Sequence, residues 1–243
     1  MTSTFITFFA YFSVCFLAGF SIPFLAKEMA KSTPCSMHSF IGDMFMRKRR
    51  KALDENKRFN YLKRQYLIYK ILSGLLYGTI GITLKYWFND STTLIISSII
   101  LYLLQLSAII DGKHRIIPDV ITLPLLILSL FLQIYWNQSG IDNRLIITSL
   151  YSIISVINIY GLCTITALVF YFRNQYSFGG GDVKLLSAIA AFAGAFYTAY
   201  IVVISAIFMG IFCVIKKQGQ APLAPFVFYA FLLWISLRKF AII

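Results

Sequence analysis

Acidic residues are scarce in this chain. It has nine Asp and Glu against 22 Lys and Arg in 243 residues, and only 13% of the residues are charged. A water-soluble domain carries about a quarter charged residues and is about half apolar. Here 59% are apolar and the mean hydropathy is +0.77, so lipid is read as the main solvent. Cysteine is equally sparse. Cys15, Cys163 and Cys213 fall inside apolar runs and read as packing residues, while Cys35 stands alone in a loop. There is no C-x-x-C pair, and His38 and His114, the two histidines, are far apart. A disulfide framework is excluded, and with about four ligands needed for structural zinc, no metal site is expected. No Lys or Arg precedes Lys27, so the opening apolar run lacks the basic start of a secretory signal and reads as a retained anchor. No Gly-Lys-Ser/Thr follows the glycine run at 179–181, which removes a phosphate-binding loop. Neither an internal repeat nor a low-complexity linker is present.

What is present is a series of apolar runs near 4–26, 66–84, 93–110, 120–136, 146–170, 184–194, 198–215 and 222–237. Each bilayer crossing takes about 20 apolar residues. The expected fold class is therefore all-α: a polytopic integral membrane helical bundle of seven to eight transmembrane helices. The sixth run is short and breaks near Gly194, so it reads as a half-span or as part of the seventh. The domain reading is a membrane anchor at 1–26, a basic, cysteine-poor loop at 27–65, and a membrane-embedded domain at 66–243.

The basic residues are clustered. Twelve Lys and Arg against four acids lie between Lys27 and Lys70, with Arg47-Lys48-Arg49-Arg50-Lys51 at the centre. Basic runs bind phosphate, but topology accounts for this one more simply. If 27–65 is cytoplasmic, Lys113, Arg115, Arg173, Lys216 and Lys217 all fall inside as well, as the positive-inside rule requires. Arg238-Lys239 falls inside only with seven spans. Membrane lipids, anionic headgroups among them, are the expected partners, and nucleic acid is not.

Five acids lie outside the basic loop. Asp90 and Asp142 sit in outer loops beside Asn89 and Asn143, where solvation explains them. Asp111, Asp119 and Asp182 sit at span ends on the inner face. Asp111 closes the third apolar run and begins Asp111-Gly-Lys-His-Arg-Ile-Ile-Pro118-Asp119. Asp182 follows Gly179-Gly180-Gly181 and opens the sixth run. Two carboxylates 71 residues apart thus reach one membrane depth. That meets the requirement of an aspartyl dyad, in which one acid and one base share a proton and hold a water. Gly179, Gly180 and Gly181 would let a substrate backbone approach and would permit positive φ. The plainer reading of that run is a flexible loop ended by an N-cap Asp. The helix macrodipole suggests Asp182, at a helix N-terminus, as the base, and Asp111, near a helix C-terminus, as the initial acid. Asp119 follows Pro118 and reads as the cap of the fourth span or as a third acid.

At these residues the chain resembles the type IV prepilin peptidases of bacteria, a G-x-G-D aspartyl protease family. Asp111 through Pro124 looks like the family's first aspartate block, with a Pro-Asp pair eight residues after the leading Asp. Phe178 through Leu186 looks like its G-x-G-D block, and Ala221-Pro222-Leu223-Ala224-Pro225-Phe226 looks like the Pro-rich start of its last span. The resemblance implies an intramembrane aspartyl endopeptidase of the bacterial inner membrane with its active site facing the cytoplasm. It would remove the basic leader from prepilins or pseudopilins after a Gly. It implies Asp111 and Asp182 as catalytic residues, with Gly179, Gly180, Gly181, Pro118 and Asp119 at the substrate. Proteolysis needs no cofactor. Many members also N-methylate the new N-terminus with S-adenosylmethionine, and the family tends to carry a four-cysteine zinc loop after its first span. This chain has only Cys35 there, which argues against zinc, although Arg58-Phe59-Asn60-Tyr61-Leu62 and Gly74 look like remnants of the pattern. The competing readings are a small transporter or channel, whose acids would sit at the bilayer midplane, a catalytically silent pilus or secretion assembly protein, and a preflagellin-type or presenilin-like protease.

Overall fold

The computed structural model describes residues 2–31, 56–88, 90–138, 145–172, 179–217 and 221–240. The described residues form eight helices and no strand: α1 (Thr2–Lys31), α2 (Asn56–Trp87), α3 (Ser91–His114), α4 (Asp119–Gln138), α5 (Leu145–Phe172), α6 (Gly180–Ala193), α7 (Ala195–Lys216) and α8 (Ala224–Phe240). Each apolar run of the sequence is a helix. Stretches in α1, α2, α3, α5 and α7 are long and apolar enough to cross a membrane, and α4 and α8 hold shorter apolar stretches. The protein is a polytopic helical membrane bundle. The Arg47–Lys51 cluster, Cys35, His38 and Asp142 lie outside the described residues.

The chain divides into two compact units, Met1–Tyr102 and Leu103–Ile243, and the boundary falls inside α3. In the first unit, α1 and α2 run antiparallel along a seam of glycines. A Cβ on Gly19 would stand 2.5 Å from Tyr77 Cβ and 2.8 Å from the Ser73 carbonyl oxygen. Gly74 and Gly78 lie as closely against Phe16 and Phe12. Lipid tails offer no hydrophobic drive for one helix to join another, so close backbone approach and interhelical hydrogen bonds take over. Ser73 Oγ accordingly donates to the Gly19 carbonyl at 2.9 Å. The first half of α3 is tied in the same way, through Tyr11–Ser98, Tyr77 to the Ser98 carbonyl, and Ser21–Tyr102 at 2.8 Å. Asp90, read as a solvated loop acid, caps α3: its Oδ2 accepts from the Thr93 N–H and Oγ1 at 2.8 and 2.7 Å.

The second unit is built around α6. From Leu185 to Ala193 every side chain is buried, four of the nine being alanine, and α6 packs against α4, α5 and α7. Around it, α5 and α7 turn large apolar side chains outward, Ile157, Leu162 and Ile165 on one and Val203, Ile211 and Val214 on the other. A buried alanine-rich centre inside a ring of exposed aliphatics is the pattern of a bundle in lipid, where the outer face needs no polar cover. With 14 residues, α6 is about 21 Å long, short of the ~30 Å hydrocarbon core. It is a helix of its own, separated from α7 by Gly194 at φ 85° and ψ 160°, a conformation open in practice to glycine alone. Of the two readings offered for the sixth run, the structure gives the short separate helix.

Candidate active site

Asp111 lies in the last turn of α3, 5% exposed. The helix ends just beyond it: Arg115 takes the left-handed conformation at φ 54° while its N–H still bonds the Asp111 carbonyl at 2.9 Å. The buried side-chain carboxylate is not left bare. Its Oδ2 accepts from the backbone N–H of Ala224 at 2.9 Å, the Leu223 N–H is a second donor, and the Arg115 guanidinium lies within electrostatic reach. Ala224 is the first residue of α8, so these are N–H groups that the helix itself cannot use. Pro225 in that first turn has no N–H to leave over, and the adjoining prolines suit a helix start.

Asp182 is the third residue of α6, half-buried, and lies outside the five spans. The N-cap position belongs to Gly179 rather than to Asp182. Asp182 reaches back from the first turn to accept the Gly179 N–H through Oδ2 at 3.1 Å. Burial pushes its carboxyl up to about 6, the Gly179 N–H pulls against this, and the charge of Asp111 adds to the rise. That last influence identifies the two carboxyls as electrostatic neighbours, although they come from α3 and α6. The Cys163 thiol of α5 also feels Asp182, a neighbour that sequence reading left among the packing residues.

The three glycines separate into distinct roles. A Cβ on Gly181 would stand 2.9 Å from Ile117 Cβ and 3.1 Å from its carbonyl oxygen, so α6 touches the α3–α4 connection there. A Cβ on Gly180 would meet nothing within 4 Å, and one on Gly179 would meet only Asp182 Oδ2 at 3.3 Å. Gly179 has φ −71°, and none of the three has positive φ, contrary to that part of the sequence reading. Pro118 is buried, and its carbonyl accepts the first helical N–H groups of α4, from Ile121 and Thr122 at 3.0 and 3.3 Å. Asp119, expected to cap α4 or to stand as a third acid, instead pairs with Lys184 of α6 at 2.7 Å. The structure thus sets the α8 N-terminus on Asp111 and pairs Asp119 with Lys184, two residues beyond Asp182. The N–H donors of Leu223 and Ala224 are what sequence reasoning missed. Its one signal was the proline-flanked start of the last run.

Comparison with known proteins identifies the family of the chain. A family model described as the type IV leader peptidase family matches residues 94–214, about half of the chain and inclusive of both aspartates. The chain belongs to the type IV leader peptidase family. It is also similar to a prepilin leader peptidase/N-methyltransferase from Dichelobacter nodosus, 23% identical over 168 residues. The match takes in 68% of this chain, which spans 55% of that relative. No solved structure matches. The family match ends before α8, so the helix that holds Asp111 lies beyond it.

Proposed function

We propose that this leader peptidase family member is an aspartyl endopeptidase of the bacterial inner membrane. It cleaves the basic leader from a prepilin or pseudopilin at the cytoplasmic face. The observation that carries the reading is that the turn bearing Asp182 lies against the segment that leaves Asp111, through Gly181 on Ile117 and Lys184 on Asp119. Two neighbouring carboxyls do not ionise independently, and one proton shared between them supplies acid and base together. The cytoplasmic orientation rests on the basic residues of alternate loops.

The sequence argument made Asp182 the base. The α8 N-terminus reopens that argument: Asp111 has donors from two α8 N–H groups where Asp182 has the Gly179 N–H, and we take the better-supplied Asp111 as the base. In this reading the Asp111 carboxylate takes a proton from water, and the resulting hydroxide attacks the carbonyl carbon of the scissile peptide. Asp182 gives its proton to the carbonyl oxygen. The tetrahedral diol then expels the amine, which takes up the proton held on Asp111 as the C–N bond breaks, while one hydroxyl of the diol returns its proton to Asp182 and the carboxylic acid is released. Titration belongs to the pair rather than to either residue.

Proteolysis by this route needs no metal or cofactor. Methyl transfer rests on the family resemblance and on likeness to a prepilin leader peptidase/N-methyltransferase. Among the described residues of the second unit, the three carboxylates are already engaged, Asp111 by Ala224, Asp119 by Lys184 and Asp182 by Gly179. The test is co-expression with a prepilin and mass measurement of the product. Wild type should release the leader, and Asp111→Asn and Asp182→Asn should each lower cleavage by at least ~10²-fold. An intact leader with folded wild-type enzyme, or ready cleavage by either variant, refutes the reading. A mature product heavier by one methyl group would establish the second activity.

A further inference from the structure

The segments that carry the two aspartates are fastened to each other on both sides of Asp182. On one side Gly181 lies against Ile117, so closely that a Cβ would stand 2.9 Å from Ile117 Cβ. On the other side Lys184 Nζ meets Asp119 Oδ1 at 2.7 Å. Ile117 and Asp119 belong to the stretch that leaves Asp111 through the left-handed turn at Arg115. Gly181 and Lys184 flank Asp182 on the first turns of α6.

We infer that Asp119 and Lys184 are a positioning pair that, together with the Gly181–Ile117 contact, sets the first turn of α6 so that the Asp182 carboxyl faces Asp111. The inference rests on the peptidase reading and adds a part to it. The physical reason begins with the length of the connection. Asp111 and Asp182 are separated by 71 residues, so no local geometry fixes the gap between their carboxyls. The buried body of α6 is held by its packing, but the first turn that carries Asp182 is only partly buried and takes its setting from the contacts on either side. The steric stop at Gly181 limits approach, and the ion pair limits rotation. A lysine reaches its partner on a long stem, which places the restraint at the interface rather than in the buried core.

Both partners are half-exposed, so the pair contributes little to overall stability. Its effect is expected in the chemistry, where displacement of a reacting group by about 1 Å costs up to ~10²-fold. In this account Asp119 holds Lys184 and is not a contact for the substrate. Buried Pro118 starts α4, and the next residue is thereby set to meet Lys184.

The experiment is steady-state cleavage of a purified prepilin by the detergent-solubilised full chain. The variants are Asp119→Asn, Lys184→Gln, the exchange of the two residues (Asp119→Lys with Lys184→Asp), and Lys184→Arg, which keeps the pair. Each single neutralisation should lower kcat about tenfold, a partial misplacement on the scale given above, and leave KM nearly unchanged. Lys184→Arg should stay near wild type, and the exchange should recover several-fold over either single variant. If Asp119→Asn raises KM with kcat intact, Asp119 binds substrate and the inference is overturned. An exchange no faster than the single variants overturns it as well. Where a single variant fails to fold, the exchange decides: cleavage supports the pairing, and a dead or unfolded exchange refutes it. An inactive, folded wild type brings down the peptidase reading and this inference with it, whereas active wild type with a failed exchange removes only the inference.

Discussion

The backbone N–H of Ala224 donates a 2.9 Å hydrogen bond to Asp111 Oδ2 across 113 residues of chain. It joins the end of α3 to the beginning of α8, and it supplies a buried carboxylate with a donor that α8 has no other use for. Ala224→Pro tests this contact: the first helical position itself tolerates proline, but the substitution removes the N–H and sets the ring Cδ where the amide hydrogen now meets Asp111 Oδ2, so Asp111 must shift. Cleavage should fall by about tenfold or more, the scale of one lost charge-stabilising donor at a reacting group. The helix should persist, while overpacking at this buried position should lower the detergent melting temperature. Wild-type activity in this variant would show that Asp111 does not depend on α8.

Gly180 and Gly181 should respond in opposite ways to the same methyl group. Gly181→Ala puts a Cβ against Ile117 and should cost about 1–3 kcal/mol of stability through overpacking, with a matching loss of cleavage. Gly180→Ala enters open space in the first turn of α6 and should be neutral or stabilising by up to ~1 kcal/mol. Thermal melting and prepilin turnover on both variants check this. Equal effects would mean that the glycines act through substrate access rather than packing.

Asp182 should impose a pH dependence on stability. Its folded carboxyl is raised to about 6, so between the ordinary carboxylate range and pH 6 the unfolded chain releases this proton before the folded chain does. Stability contributed at this site is therefore present at low pH and is lost as pH rises toward 6, then stays lost. Asp182→Asn keeps an acceptor for the Gly179 N–H and has no charge to bury. It should melt above wild type at neutral pH, with the two converging near pH ~4. Cleavage by wild type should show a limb near pH 6, and the pH at which Asp182 affects melting should move down in Asp111→Asn, because Asp111 adds to the rise of Asp182. A constant melting difference across this range would refute the shift.

In the first unit, Gly19→Ala should force α1 away from α2, since its Cβ would meet Tyr77 Cβ and the Ser73 carbonyl, which are parts of the helix wall and not flexible ends. The expected cost is about 1–3 kcal/mol. Gly210→Ala, with nothing within 4 Å, is the control and should gain up to ~1 kcal/mol from helix propensity. Detergent melting and protease accessibility read both. Unchanged stability in Gly19→Ala would mean that the seam is looser than this geometry.

Much of the fold was readable from hydropathy because a helix in lipid must satisfy its own backbone, so each apolar run becomes a helix with few alternatives. The short sixth run and its break at Gly194 were visible for the same reason, as no other residue accepts that backbone conformation. The two aspartates stood out because acids outside the basic loop are few. Asp119 and the glycines were harder. Whether an acid caps a helix, binds substrate or pairs with a lysine depends on which helix lies beside it, and Lys184 is 65 residues away.

The order of apolar runs, the clustering of basic residues and the placing of Asp111 and Asp182 at helix ends are properties of the linear chain, because solvation by lipid or water acts on each segment separately. The donors from Leu223 and Ala224, the stop of Gly181 on Ile117 and the binding of Asp119 by Lys184 exist only once helices distant in sequence are packed. Hydrogen bonds and ion pairs act over a few ångströms, and it is the packing of α3, α4, α6 and α8 that brings those groups within reach.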